Sequence, residues 1–189
     1  MNAAALRRWS GFKSWLWAGV RDWRSHVRTL LTLLLVYAGV HLWQTRDLPS
    51  GAAPGFSAAL ASAQTIGSVE LAQWRASHPG RAVALHFWAD WCPICRLEEG
   101  SISAVQQDWP LLGVAMQSGA ALQVQAVLRK RQLDWHSAVD PDGALSRRYG
   151  LTSVPAFIVL DAQGRIRFAE IGYTSEAGMR ARLWWAQHF

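Results

Sequence analysis

Apolar residues are arranged in two different ways along this chain. Residues 29–45 contain no Asp, Glu, Lys or Arg and are dominated by Leu30, Leu31, Leu33, Leu34, Leu35 and Val36. A helix of that length spans roughly 26 Å. That is close to a hydrocarbon core of about 30 Å, with Tyr37, His41 and Trp43 suited to the interface. The pattern predicts one transmembrane helix over 29–45. After residue 65 the apolar residues instead come in short runs separated by turn residues. Residues 82–88 form a nearly continuous apolar run, as expected of a strand covered on both faces, and 111–116 form a second. Helical spacing follows over 95–107, 120–131, 142–149 and 176–187, with a short strand over 137–139. A short helix is expected over 69–77, ended by Pro79-Gly80. Residues 156–160 and 165–171 read as strands joined by the hairpin loop Asp161-Ala162-Gln163-Gly164. Alternating strands and helices that close on a hairpin predict an α/β fold, a mixed central sheet flanked by helices.

Charge separates the chain at nearly the same place. Residues 1–28 carry Arg7, Arg8, Lys13, Arg21, Arg24 and Arg28 against Asp22, a net charge of +5. Arg46 adds one more, and residues 47–189 hold twelve basic and twelve acidic side chains, so the net charge of +6 lies ahead of the domain. A neutral domain has no electrostatic basis for binding nucleic acid. A basic segment before a membrane span predicts a cytoplasmic N-terminus and a domain on the opposite face, in a bacterium the periplasm. A cleavable signal peptide is the rival reading, with Ser50-Gly51-Ala52 as a passable cleavage site, although a basic region of 28 residues is long for one. The Arg7-Arg8 pair is followed by Trp9-Ser10-Gly11, a poor fit to a twin-arginine export signal. Trp9, Trp15, Trp17 and Trp23 with interleaved cations suit either an interfacial segment on the cytoplasmic leaflet or a loosely ordered basic tail. Residues 46–64, rich in Ala, Gly, Ser and Pro, read as a flexible linker, which leaves 65–189 as the domain. Arg129-Lys130-Arg131 reads as a solvated helix end that complements the dipole.

Candidate chemistry is concentrated in one segment, because the only two cysteines are Cys92 and Cys95 in Trp91-Cys92-Pro93-Ile94-Cys95. On a helix, residues three apart share a face, close enough for two sulfurs to bond and separate with little backbone movement. Cys92 at the helix start is exposed to free backbone N–H groups that favour its thiolate, the attacking form. Cys95, one turn further in, is expected to be shielded and to resolve the mixed disulfide. As a purely structural disulfide the pair closes only a small loop and stabilises little. A structural zinc site needs four ligands and no second Cys pair is present. Copper capture by the two thiolates alone remains an alternative, without a Met-rich motif to support it. Arg96 directly after the second Cys excludes c-type haem attachment. Pro93 and Ile94 supply neither a cation nor a side-chain donor, so the dithiol is expected to be less oxidising than one with Pro-His between the cysteines.

Phe87-Trp88-Ala89-Asp90-Trp91-Cys92-Pro93-Ile94-Cys95-Arg96 after a hydrophobic strand resembles the active-site signature of the thioredoxin superfamily. The similarity is to its TlpA-like, membrane-tethered disulfide oxidoreductases, in particular the suppressors of copper sensitivity. Gln117-Ser118-Gly119, Asp140-Pro141-Asp142-Gly143-Ala144-Leu145 and Gly172-Tyr173-Thr174-Ser175 support it. The resemblance implies a thioredoxin-like fold over 65–189, a protein disulfide oxidoreductase with no cofactor, and thiol- or disulfide-bearing substrate proteins. It also implies a transmembrane thiol relay as electron donor where the net reaction is reduction. Val154-Pro155 falls where the family has a cis proline facing the dithiol. There the Val154 backbone can pair with an extended substrate strand laid across Cys92 and beside Trp91. His86 stands where thioredoxins usually place a buried acid. A neutral imidazole there can relay a proton from Cys95, or it can be an ordinary core histidine with one hydrogen bond. Gly100 replaces the proline of a Cys-Arg-x-Glu-x-Pro run that Arg96 and Glu98 otherwise keep. Peroxidase chemistry is disfavoured because Ala89 stands three before Cys92, where peroxiredoxins carry Thr.

Overall fold

A computed structural model describes residues 23, 25–40 and 51–189, and the chain divides into two units, 1–46 and 47–189. In the first unit, α1 runs over residues 25–40. Among the described residues no helix is long and apolar enough to cross a membrane. Positions 41–45 of the predicted span and nearly all of the basic tail lie outside the described residues.

The second unit is one eight-stranded mixed sheet. In chain order its elements are β1 (Gly51–Ala52), β2 (Ser57–Ala61), β3 (Ile66–Glu70), α2 (Leu71–Ala76), β4 (Val83–Trp88), α3 (Pro93–Gln106) and β5 (Leu111–Met116). They are followed by α4 (Ala121–Arg131), β6 (Ser137–Asp140), α5 (Ala144–Arg148), β7 (Ala156–Leu160), β8 (Arg165–Ile171) and α6 (Glu176–His188). The strand order is β1-β8-β7-β4-β5-β6-β2-β3. Pairing is parallel for β4 with β5 and β5 with β6, and antiparallel elsewhere. The continuous apolar run of β4 has the expected cause. Val83, Leu85 and Phe87 enter one core with Leu71, Leu145, Tyr149 and Ile158. Ala84 and Trp88 enter the other, with Ile102, Leu128, Trp135 and Leu183. Thus α3, α4 and α6 cover one face of the sheet, and α2 and α5 the other.

The flexible linker over 46–64 is corrected by this topology. β1 pairs with β8 at Gly51↔Ile166, and β2 pairs with both β3 and β6, so sheet structure begins about fifteen residues before position 65. Ala, Gly and Ser have little strand preference of their own, and strand structure here comes from pairing with an open sheet edge. Ser62 closes the β2–β3 turn, its hydroxyl accepting from the Gln64 and Thr65 N–H groups at 3.3 and 3.0 Å. The helix expected over 69–77 is shorter, because Val69 and Glu70 belong to β3.

Gly113 in β5 has a packing reason. A Cβ there would meet Ser137 Oγ closely, with Trp88 Nε1 at 3.1 Å and the His136 carbonyl at 3.3 Å. Its absence leaves room for the buried Trp88 indole N–H to donate to Ser137 Oγ at 3.1 Å. Overpacking a closed core typically costs about 1–3 kcal/mol. Gly113→Ala is therefore expected to lower the urea midpoint without changing the slope of the transition, as read by tryptophan fluorescence.

Candidate functional site

Trp88 is the last residue of β4, and the chain turns through Ala89, Asp90 and Trp91 to Cys92 before α3 begins at Pro93. A proline at the first helical position loses no hydrogen bond, because that N–H would have no intrahelical partner. Cys92 is the extended N-cap of α3, and its Sγ accepts from the Cys95 N–H at 3.1 Å. Cys92 and Cys95 are joined in a disulfide with their Cα atoms 5.3 Å apart. The N-terminal N–H groups of a helix favour negative charge at this sulfur when the bond opens.

Cys95 is shielded as expected, at 2% exposed, and Cys92 is equally buried at 3%. Their asymmetry lies in their neighbours. Cys92 Sγ is 3.6 Å from the Val154 carbonyl oxygen, and the Val154-Pro155 bond is cis, so the two segments meet as the family resemblance implies. Around them Trp91 and Ile94 are 55% and 46% exposed, an apolar rim beside the sulfur. Cys95 sits on the inner side of α3, whose other buried residues are Glu98, Ile102 and Val105.

The loop ahead of Cys92 is held from several directions. Asp90 N–H donates to Ser118 Oγ at 3.0 Å, and the Trp91 indole N–H donates to the Gln117 carbonyl at 3.2 Å. Gln117 has a positive φ of 48°, a conformation uncommon for a residue with a side chain. The Asp90 carbonyl accepts from Arg131 Nη2 at 2.7 Å and from Arg96 Nη2 at 3.1 Å. Arg131 also bonds Glu99 Oε1 at 2.7 Å. The reading of Arg129-Lys130-Arg131 as a solvated helix end holds for the exposed Arg129 and Lys130 and fails for Arg131, whose side chain is largely buried. Arg131 braces the dithiol loop and Arg129 donates to the Ala63 carbonyl at 2.7 Å. Neither contact was legible, since Arg131 reaches a backbone carbonyl 41 positions away.

Behind the dithiol lies a buried polar pair. His86 is 0% exposed and Glu98 1%. Glu98 is one helical turn beyond Cys95, on the same face of α3. Its Oε1 accepts from the Thr174 N–H at 2.5 Å, and its Oε2 is 3.6 Å from His86 Nε2, longer than a hydrogen bond. Among the described residues neither ring nitrogen of His86 has a hydrogen-bond partner. The ring packs edge-on to Trp135, with centroids 5.5 Å apart. The one hydrogen bond of the core-histidine reading is not among the contacts of the described residues. The acidic partner was missed as a partner: Glu98 was recognised as part of a motif, and its spacing of three from Cys95 is the signal that points to it.

Among the described residues no group of three or more His, Cys, Asp or Glu side chains is placed to hold a metal ion.

A model of the AhpC/TSA family matches residues 49–169. The thiol:disulfide interchange protein DsbE homolog of Paracoccus denitrificans is 31% identical over 144 residues, which cover 72% of this chain and 78% of that protein. A thioredoxin-like protein of Haemophilus influenzae is 28% identical over 106 residues, covering 56% of this chain and 63% of the relative. Among solved structures, a thiol:disulfide interchange protein DsbE from Chlorobium tepidum superposes with a TM-score of 0.62 at 24% identity, over 74% of this chain and 99% of the other. The fold is thioredoxin-like.

Proposed function

The chain belongs to the AhpC/TSA family and is built as a thioredoxin-like disulfide oxidoreductase; from that premise we propose that it exchanges disulfides with substrate proteins through Cys92 and Cys95. The observation that carries this reading is the Cys92–Cys95 disulfide at the N-terminus of α3, set against the cis Val154-Pro155 segment.

In the reducing direction, the Cys92 thiolate attacks one sulfur of a substrate disulfide, forming a mixed disulfide and releasing the other sulfur as a thiolate. Cys95 then attacks Cys92 Sγ, closes the intramolecular disulfide and releases the second substrate thiolate, so two electrons pass to the substrate. The same steps reversed oxidise a substrate dithiol. Val154 presents backbone to an extended substrate segment, and Trp91 and Ile94 contact its apolar side chains. Pro93 and Ile94 tune the potential through the thiolate charge they fail to stabilise, and His86 with Glu98 handles the Cys95 proton. The domain is held outside the cytoplasm by a span over 29–45 with the N-terminus inside. A membrane thiol relay renews the dithiol when the net reaction is reduction.

The family name also covers peroxide-reducing proteins, but the Paracoccus denitrificans and Chlorobium tepidum proteins above are named interchange proteins, and Ala89 supplies no hydroxyl near Cys92. The chain is expected to accelerate insulin reduction by dithiothreitol. Stoichiometric Cu(I) retention without any such acceleration would instead make it a metal-binding module. Equilibration against graded glutathione buffers is expected to give a potential well below the strong-oxidant value of about −120 mV. Arg96 and Arg131 add positive charge near the loop, but Arg131 is offset by Glu99 and Arg96 is exposed to solvent. A potential near the strong-oxidant value would overturn the argument from Pro93 and Ile94.

A further inference from the structure

The two ends of the domain differ in kind. Cys92 follows the C-terminal end of β4. At the other end of that strand the Ala82 N–H donates to Gln187 Oε1 at 2.8 Å, and Gln187 Nε2 donates to the Gly80 carbonyl at 2.9 Å. The last turn of α6 therefore lies at the end opposite the dithiol, separated from it by the length of a six-residue strand, about 20 Å. The β7–β8 hairpin is at the same end, since Val83 pairs with Leu160 and Arg167 donates to the Phe189 carbonyl at 3.0 Å.

This end carries an aromatic surface. Trp184, Trp185 and Phe189 are 52%, 48% and 67% exposed, and Trp185 and Phe189 lie against each other with ring centroids 4.6 Å apart. Arg165 and Arg167 flank them, both exposed, and the acid of the hairpin loop, Asp161, is buried and engaged by Arg167 at 3.8 Å. Exposed tryptophans with neighbouring arginines suit the headgroup region of a bilayer, where the rings bury their apolar faces and the cations meet anionic lipid.

The chain also enters the domain here. β1 pairs Gly51 with Ile166 and Ala52 with Arg165, the first two residues of β8, and the Ala53 N–H donates to the hairpin carbonyl of Gly164 at 2.9 Å. Because β1 begins at Gly51, only positions 46–50 separate the domain from the apolar segment 29–45. That is shorter than the linker over 46–64 that the composition implied.

We propose that the end of the domain bearing Trp184, Trp185, Phe189 and Arg165 docks on the lipid interface and holds the Cys92–Cys95 dithiol at the far end, turned away from the bilayer. The proposal rests on the reading of 29–45 as a membrane anchor. It makes the substrate face the part of the domain most distant from the membrane, so substrates approach from the aqueous side, and a membrane-embedded electron donor must extend a segment of its own to reach Cys92.

The test uses the full chain in its oxidised form, with an environment-sensitive fluorophore on a cysteine introduced as Gln163→Cys at the hairpin or, separately, as Leu122→Cys at the dithiol end. Both positions are exposed. The chain is reconstituted into vesicles of phosphatidylcholine and phosphatidylglycerol containing lipids brominated near the headgroup. Docking gives several-fold stronger quenching at position 163 than at 122. Combined Trp184→Ser, Trp185→Ser and Phe189→Ser substitution removes that difference while insulin reduction persists. Arg165→Glu, which keeps the aromatic contacts, weakens it in anionic vesicles but not in pure phosphatidylcholine. Equal quenching at the two positions, in a chain that floats with the vesicles, overturns docking and leaves the anchor standing. Failure to float overturns the anchor, and docking with it. An unquenched label at 163 whose self-quenching grows with protein-to-lipid ratio shows that the aromatic face pairs with a second copy, which also overturns the proposal.

Discussion

Cys92→Ser is expected to reduce insulin turnover to the rate of dithiothreitol alone, whereas Cys95→Ser keeps the first attack and accumulates mixed disulfides. The two variants differ because the sulfurs occupy different positions on α3. Cys92 is the N-cap, lies 3.6 Å from the Val154 carbonyl oxygen and is bordered by the exposed Trp91 and Ile94. An incoming disulfide can therefore reach it along the cis-proline segment. Cys95 faces the core, and its one proximal electrophile is Cys92 Sγ, to which it is already bonded in the oxidised form. Removing Cys95 leaves the mixed disulfide without an intramolecular attacker, and its decay then depends on a bimolecular thiol, losing the advantage of proximity. Non-reducing electrophoresis of Cys95→Ser after exposure to extracellular-compartment proteins should show high-mass adducts that dithiothreitol releases. Cys92→Ser should show none. Equal trapping by both variants would sink the assignment of Cys92 as the attacking sulfur.

What the sequence discloses about this domain follows from how local each determinant is. β4 is legible because both its faces are buried, so Val83, Leu85 and Phe87 on one side and Ala84 and Trp88 on the other write an apolar run. The β7–β8 hairpin is legible from Gly164, whose φ of 79° favours glycine. β2 is not legible, because Ser57-Ala58-Ala59-Leu60-Ala61 has little strand preference, and its state is decided by pairing with Ser137 and Ala138 of β6. The cysteine pair and the proline opposite it were legible as a site through family resemblance, since spacing alone says nothing of a contact across 62 positions. Arg131 illustrates the limit most clearly. Three consecutive cations at a helix end have a sufficient local explanation in the dipole, and that explanation hides the tertiary bond from Arg131 to Asp90.

The second large effect is expected at the buried pair behind Cys95. An imidazole and a carboxyl group without solvent contact are costly in an apolar cluster, where an apolar pair of similar volume is often as stable or more so. Cys95 must lose a proton each time it attacks Cys92 and regain one when the dithiol reforms, and at 2% exposure it has little access to water. On the proposed reading that proton passes to Glu98, one turn along the same face, and to His86, 3.6 Å beyond it. Glu98→Gln keeps an acceptor for the Thr174 N–H but cannot take up a proton, and is expected to slow resolution of the mixed disulfide by about 10²-fold, the low end for general acid–base catalysis. His86→Phe should slow it less, since the Glu98 carboxyl remains. Two readouts separate proton transfer from structural support. Between about pH 5 and 8, resolution by Glu98→Gln should climb with pH as for an unassisted thiol, while the wild type stays flatter. If the two groups form one path, the double variant should be no slower than Glu98→Gln alone. Stopped-flow tryptophan fluorescence of a preformed mixed disulfide measures both. A wild-type pH profile in Glu98→Gln, or additive losses in the double variant, would leave His86 and Glu98 as two independent packing residues.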